Sequence, residues 1–243
     1  GRPDLQGTWD FRTITPMQRP ESLAGIEVLN EEELATFEAA ENVRRDRDNF
    51  TDTTTTGDYN QFWDDRGTEL LDDGRTSLIT DPPNGRQPPS TPEAQAQRAS
   101  LLAFYRPNTG TAWWLEDDLN APGPYDNPER RPHSERCLLG FGSTAGPPML
   151  PVLYNNLKRI VQTEDQIMIL VEMVHDARVV RMNQDHLPSE IRRWLGDSVG
   201  HWEGDTLVVD TTNFSDTPGS AGASRNLHVV ERFTPLNGDT LLY

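Results

Sequence analysis

The sequence predicts a mainly β protein, in which the second half of the chain forms an antiparallel curled sheet or barrel and a loop-rich first half contains two short helices. Only 34% of the 243 residues are hydrophobic, and the chain contains 18 glycines and 19 prolines. This composition is typical of a fold with much ordered loop. After about residue 150, polar and apolar residues alternate in short runs that turn-forming residues separate, which indicates strands and hairpins.

Three short elements are predicted in the first half. The segment that begins at Gly7 predicts a short opening strand anchored by Trp9. Asn30 precedes three glutamates, a pattern of an N-cap followed by carboxylates near the positive end of a helix, so a helix is predicted over 31–46. The Thr91-Pro92-Glu93 run is a second helix start, and this helix is predicted to end near Tyr105.

Consecutive hairpins are predicted in the second half. A strand over 156–162 is followed by a turn and by 167–182, which is predicted to be one long strand or a bent strand pair. Turns at 202–205 and 235–239 join the later strands. A meander of this kind hides its edges by curling or closing. The chain is therefore predicted to be one domain, 1–243, in which residues 1–150 wrap a meander over 151–243 that continues beyond Tyr243.

The charge balance argues against several classes of partner. Asp and Glu number 39 against 22 Lys and Arg, which gives a net charge of −17, and Lys158 is the only lysine. Because nucleic-acid binding depends on positive surface charge, we expect no nucleic-acid partner. No apolar run approaches the roughly 18 residues that span a bilayer, so no transmembrane segment is predicted. The single cysteine, Cys137, excludes an intrachain disulfide.

Strand parity groups the polar residues of the second half into a candidate site. On one strand over 167–182, alternation places His175 on the face opposite to its acidic and basic neighbours. A closed sheet is expected to point polar residues of several strands into one interior. The predicted ligand-binding residues are Glu172, His175, Asp176, Arg178, Asp210, His228 and Arg232.

Three interpretations of this set stay open: a structural ion network, a binding pocket and a catalytic centre. Burial and charge pairing shift carboxylate and imidazole pKa values toward neutrality, as acid–base catalysis requires. Buried arginine–carboxylate pairs are equally familiar as structural ties. No nucleophile is marked out, and the catalytic residues are therefore unassigned. Schiff-base chemistry would depend on Lys158 alone, which is expected in an exposed turn.

The sequence predicts neither a metal centre nor a nucleotide site. Glu172 and His175 would share a face of a helix but point to opposite sides of a strand. Polar residues at the tip of a hairpin, such as His201 and Glu203, are expected there in any protein. The glycine-rich segment 140–146 lacks the Gly-Lys-Ser/Thr ending of a phosphate-binding loop. We assign no metal site, and the cofactor is unknown.

Segments spread over nearly the whole chain carry a family resemblance: Gly1 to Trp9, Thr76 to Arg86, Gly146 to Pro151, Tyr154 to Asn156, Glu172 to Arg178 and Trp194 through Phe214. Together they resemble an uncharacterised family of exported bacterial proteins, which brings no known reaction with it. Its members commonly begin with a signal peptide and continue past the position of the last residue here. The resemblance therefore implies an extracytoplasmic location, periplasmic or secreted. The Gly-x-Trp start and the late hairpins are also similar to lipocalin-like barrels, although the long loop-rich first half departs from them.

Three functional hypotheses follow. The first is an exported module that binds a small molecule or a protein partner in or near the sheet. The second is a noncatalytic accessory subunit of an extracytoplasmic or membrane-attached assembly, in which a partner would order the Pro-rich and Thr-rich loops. The third is a hydrolase or lyase that pairs Glu172 or Asp176 with His175 or His228. The sequence leaves open whether the protein is an enzyme.

Overall fold

An eight-stranded sheet dominates the computed structural model, which describes residues 1–49, 60–102, 126–131, 133–140, 146–172, 175–216 and 223–243. The strands follow one another across the sheet in chain order. They are β1 (Gly7–Asp10), β2 (Leu157–Gln162), β3 (Gln166–Val171), β4 (Ala177–Met182), β5 (Asp197–Glu203), β6 (Thr206–Thr212), β7 (Val229–Pro235) and β8 (Leu241–Leu242). Two α-helices occur in the described ranges, α1 (Glu31–Arg45) and α2 (Pro92–Leu102). The predicted mainly β class with a curled, barrel-like sheet is confirmed.

One pair of side chains shows how the sheet curls. Strands β5 and β6 lie between β4 and β7, and in a flat sheet this would separate the outer two backbones by about 14 Å. Side chains that stand perpendicular to a flat sheet do not meet across that distance. Arg178 of β4 and Glu231 of β7 nevertheless form a bidentate ion pair. The sheet is therefore concave on the face that carries them.

The strand pair predicted over 167–182 is a hairpin, in which β3 ends at Val171 and β4 begins at Ala177. Its register places Ile169 opposite Arg178. Odd-numbered residues of β3 therefore share a face with even-numbered residues of β4. The single alternation expected for the whole segment is wrong, because the turn between the strands resets it.

The pair formed by β4 and β5 is parallel, whereas an antiparallel meander was predicted. The pairs from β2 to β4 and from β5 to β8 are antiparallel, as predicted. Parallel neighbours need a crossover rather than a tight turn, and residues 183–196 provide it. Gly196 ends this connection with a φ of +73°, and a Cβ added there would lie 2.7 Å from the carbonyl oxygen of Thr212. Only glycine fits this backbone without rearrangement.

The chain divides into two compact units with interleaved segments. The larger unit contains residues 1–9, 90–150 and 158–243, and the smaller contains 10–89 and 151–157. The prediction of one domain divided near residue 150 stays a prediction. In the larger unit, the apolar core lies on the concave face of the sheet. Its side chains that are at most 2% exposed include Ile160, Ile167, Ile169, Val171, Val180, Leu207, Val209 and Phe233.

The predicted starts of both helices are confirmed. Asn30 accepts a hydrogen bond from the backbone of Glu33, whose carboxylate accepts one from the backbone of Asn30, at 3.0 and 2.9 Å; this is a capping box. Helix α2 begins at Pro92, and its predicted end near Tyr105 lies outside the described residues. No described helix combines the length and the apolar character that crossing a membrane requires.

Replacing Gly196 with alanine is expected to destabilise the protein by about 2–4 kcal/mol, because the substitution adds a strained backbone angle and a clash with a backbone oxygen. Gly204 in the β5–β6 turn is a matched control: its φ is +59°, and nothing lies within 4 Å of an added Cβ. Gly204→Ala should cost about 1 kcal/mol. Urea unfolding measures both, and equal losses would contradict the close approach at Gly196.

Candidate functional site

Charged side chains meet at one end of the concave face, in the larger unit. The side chains of Arg178 and Glu231 are only 2% and 1% exposed. The hydroxyl of Tyr243 donates to Glu231 at 2.9 Å and accepts from the backbone N–H of Met149 at 2.9 Å. Burial, together with the negative charge of Glu231, raises the pKa of the Tyr243 phenol well above its ordinary value. The ion pair is thus hydrogen-bonded and shielded from water, which is the condition under which a buried pair is tolerated.

The chain's only lysine belongs to the same group. Lys158 is fully buried on β2, and Asp176 is 5% exposed and accepts the backbone N–H of Gly140 at 3.0 Å. Burial lowers the pKa of Lys158 to about 8, while the negative charge of Asp176 acts in the opposite direction. The expectation of an exposed turn at Lys158 is wrong, because alternation along β2 turns Leu157 outward and the lysine inward. We call Lys158, Asp176, Arg178, Glu231 and Tyr243 the interior cluster.

His186 ties the β4–β5 connection to two strands on the outer face of the sheet. Its Nδ1 lies 3.1 Å from Asp197 and its Nε2 lies 2.9 Å from Asp210. Because both neighbours are carboxylates, only the doubly protonated ring donates to both. His228 Nε2 lies 2.7 Å from the second oxygen of Asp210. Partial burial favours a higher pKa for Asp210, but hydrogen bonds from His228 and His186 keep that pKa below its ordinary value.

The seven predicted ligand-binding residues do not meet in one interior. They fall into the interior residues Asp176 and Arg178, the outer-face residues Asp210, His228 and Arg232, and the exposed residues Glu172 and His175 near the β3–β4 turn. The register of β6 with β7 separates the first two groups, because Val209 lies opposite Glu231 and Asp210 lies opposite Val230. Successive residues of a strand face opposite sides, so the expectation of one shared interior is corrected.

Sequence reasoning also missed His186 and the role of Glu231. Glu231 alternates with the buried Phe233 on β7, and this alternation is the sequence signal that was available for it. Nothing in the sequence pattern around His186 marks its contacts, because they depend on the parallel crossover.

An open groove lies at the other end of the concave face, also in the larger unit. Alternation along β2 places Lys158, Ile160 and Gln162 on one face. Lys158 belongs to the interior cluster, Ile160 belongs to the apolar core and Gln162 lines the groove, so this face connects the three regions. The groove has a volume of about 600 Å³, and we call it the rim groove. Its lining includes the side chains of Arg2, Asp4, Gln6, Glu164, Asn183 and Trp202.

Backbone contacts fix the walls of the rim groove. Gln162 accepts the N–H of Leu5 at 3.0 Å and donates to the carbonyl of Pro3 at 3.1 Å, which fastens the first residues to the end of β2. The N–H of Asn183 donates to the carbonyl of Gly200 at 2.7 Å. Sequence periodicity could not show this groove, because it joins the first residues to turns that are more than 150 positions away.

The hairpin tip between β5 and β6 carries a smaller polar group. Glu203 accepts from Arg232 at 2.6 Å and lies 3.2 Å from His201 Nε2. The hydrogen bond from Arg232 has the largest effect in lowering the pKa of the Glu203 carboxyl, and the hydrogen bond from His201 acts in the same direction. In the part of the chain that the structure describes, no three His, Cys, Asp or Glu side chains are grouped to bind a metal ion.

The burial of Lys158 gives stability a specific pH dependence. The unfolded chain keeps the lysine proton up to its ordinary pKa of 10.5, whereas the folded protein releases it near 8. The unfolded state therefore binds more protons in this window, and the free energy of unfolding should rise with pH, by about 3 kcal/mol for the whole shift. Above pH 10 the raised pKa of Tyr243 acts in the opposite direction.

Urea unfolding between pH 7 and 10 measures this dependence. Lys158→Met should abolish the rise, whereas Arg159→Met, at the exposed neighbouring position of β2, should keep it. The same slope in both variants would show that Lys158 titrates normally in the folded protein.

No protein-family model, curated protein or solved structure matches this chain.

Proposed function

We propose that the protein is an extracytoplasmic module that binds a small polar molecule in the rim groove. The observation that carries the proposal is the contrast between the two ends of the concave face. At one end the charged groups are committed to each other, and at the other a 600 Å³ groove presents polar side chains to solvent. Ligand sites are concave and contain a few polar groups that fix the orientation of the ligand.

Accessibility favours the rim groove over the interior cluster. Asp176, Arg178 and Glu231 are at most 5% exposed, so a ligand that reached them would have to displace the ion pair from its partners. Removing one partner of a buried pair costs about 3–5 kcal/mol, and a ligand at the interior cluster would have to offset that cost. Arg2 and Glu164 of the groove are exposed, and a ligand meets them without that cost.

Within the hydrolase or lyase hypothesis, the pairing of Asp176 with His228 gains no support from this geometry. Asp176 accepts a hydrogen bond from Gly140 on the concave side, whereas His228 contacts Asp210 on the outer face. A carboxylate and an imidazole that act as an acid–base pair need a common position for the substrate, and these two face opposite sides of the sheet.

The accessory-subunit hypothesis is a second candidate, and it is favoured by an aromatic pair in the smaller unit. Phe62 is 82% exposed and Trp63 is 58% exposed, and their rings meet edge to face with centroids 5.4 Å apart. Exposed apolar surface of this kind is typical of contacts with a protein partner.

Saturation-transfer NMR with separate pools of amino acids, amines and monosaccharides tests the groove. At least one pool should bind the wild-type protein, and Trp202→Ala should abolish that binding because it removes the aromatic wall. Trp194→Ala is the matched control, since Trp194 is also a partly exposed tryptophan of the larger unit but does not line the groove.

If Trp202→Ala and Trp194→Ala weaken binding equally, the proposal is contradicted. The same holds if none of the three pools binds the wild-type protein. A variant that loses the cooperative unfolding of the wild type is replaced by Trp202→Leu, which keeps apolar volume while removing the indole.

A further inference from the structure

We infer that the rim groove binds an organic cation of the alkylammonium or guanidinium class, and that Arg2 occupies the place of this cation in the unliganded protein. The inference rests on the proposed binding function and names the ligand class of the same groove. Three features of the groove carry it: an aromatic face, two carboxylates and the position of Arg2.

The aromatic face is the indole of Trp202, and a cation already lies over it. The guanidinium carbon of Arg2 is 5.9 Å from the centroid of the ring. Tryptophan is the best aromatic partner for a cation, and this distance is within the range of such contacts. The groove therefore offers a surface of the kind that recognises alkylammonium and guanidinium groups.

The carboxylates are those of Asp4 and Glu164. Asp4 Oδ1 accepts the backbone N–H of Gln6 at 2.9 Å, which fixes its side chain beside the groove, and Glu164 lies in the exposed turn between β2 and β3. If Arg2 moved away, these two carboxylates would leave the lining with an excess negative charge. The net charge of −17 also attracts cations toward the protein and repels anions.

Arg2 acts as an internal competitor for the place over Trp202. Its side chain is exposed, and the backbone at Pro3 and Leu5 is fastened to Gln162. A tethered group competes at a high effective concentration, so a ligand has to displace it. Removing the Arg2 side chain should therefore strengthen the binding of a cation, whereas a neutral ligand that leaves Arg2 in place would gain nothing.

Titration with tetramethylammonium chloride and methylguanidinium chloride, followed by the indole N–H signal of Trp202 in NMR spectra, tests the inference. Arg2→Ala should lower the Kd by about twofold to fivefold, the range expected for one exposed cation–aromatic contact. Glu164→Gln should raise the Kd by a similar factor, and Trp202→Leu, followed by ligand-detected NMR, should abolish binding. Arg159→Ala removes one exposed arginine that does not line the groove, so it controls for net charge.

An unchanged or higher Kd in Arg2→Ala, or the same fall in Arg159→Ala, would overturn the inference. Glucose and acetate are titrated in parallel to separate this inference from the proposed function. Trp202-dependent binding of glucose or acetate without binding of either cation would overturn the cation class and leave the binding function standing. The absence of binding for all four probes and all three ligand pools would overturn both.

Discussion

The buried ion pair between the Arg178 guanidinium and the Glu231 carboxylate determines how the sheet curves. Removing either charge from water is costly, so the pair forms only where the geometry is close to ideal and the remaining hydrogen-bonding groups are satisfied. The bidentate contact and the hydroxyl of Tyr243 meet that requirement. Because the two residues are on β4 and β7, with two strands between them, the contact requires the concave face. The same face then encloses Lys158 and the apolar core.

This interior has a consequence for recognition. The charges at one end of the concave face are paired with each other, and the other end of that face is open to a ligand. The first residues, fastened through Gln162, complete a groove there whose side chains face solvent. The acidic surplus of the chain agrees with the ligand class that we propose, because negative surface favours a cationic ligand over an anionic one.

Local patterns in the sequence predicted the elements, and long-range pairing decided the site. The helix start at Asn30 and the turn at Gly204 depend on neighbouring residues, and both were predicted. The alternation that should have placed Glu172 to Arg178 failed because a turn within that segment reversed the chain. Parity grouped Asp210 and Arg232 with the interior residues, whereas the register of β6 with β7 places both on the outer face. The buried lysine was missed because alternation along β2 turns the apolar Leu157 outward and the charged Lys158 inward, and its burial results from strands that come later in the chain.

A double-mutant cycle on the buried ion pair tests the account most directly. Arg178→Met, Glu231→Leu and the double variant are compared with the wild type by urea unfolding. Each single variant should lose about 3–5 kcal/mol, because one buried charge is left without its partner. The double variant should be more stable than the sum of the single losses predicts, by at least about 2 kcal/mol. Single losses below about 1 kcal/mol with additive effects would show that water reaches the pair, and would contradict the closed interior on which the proposed function depends.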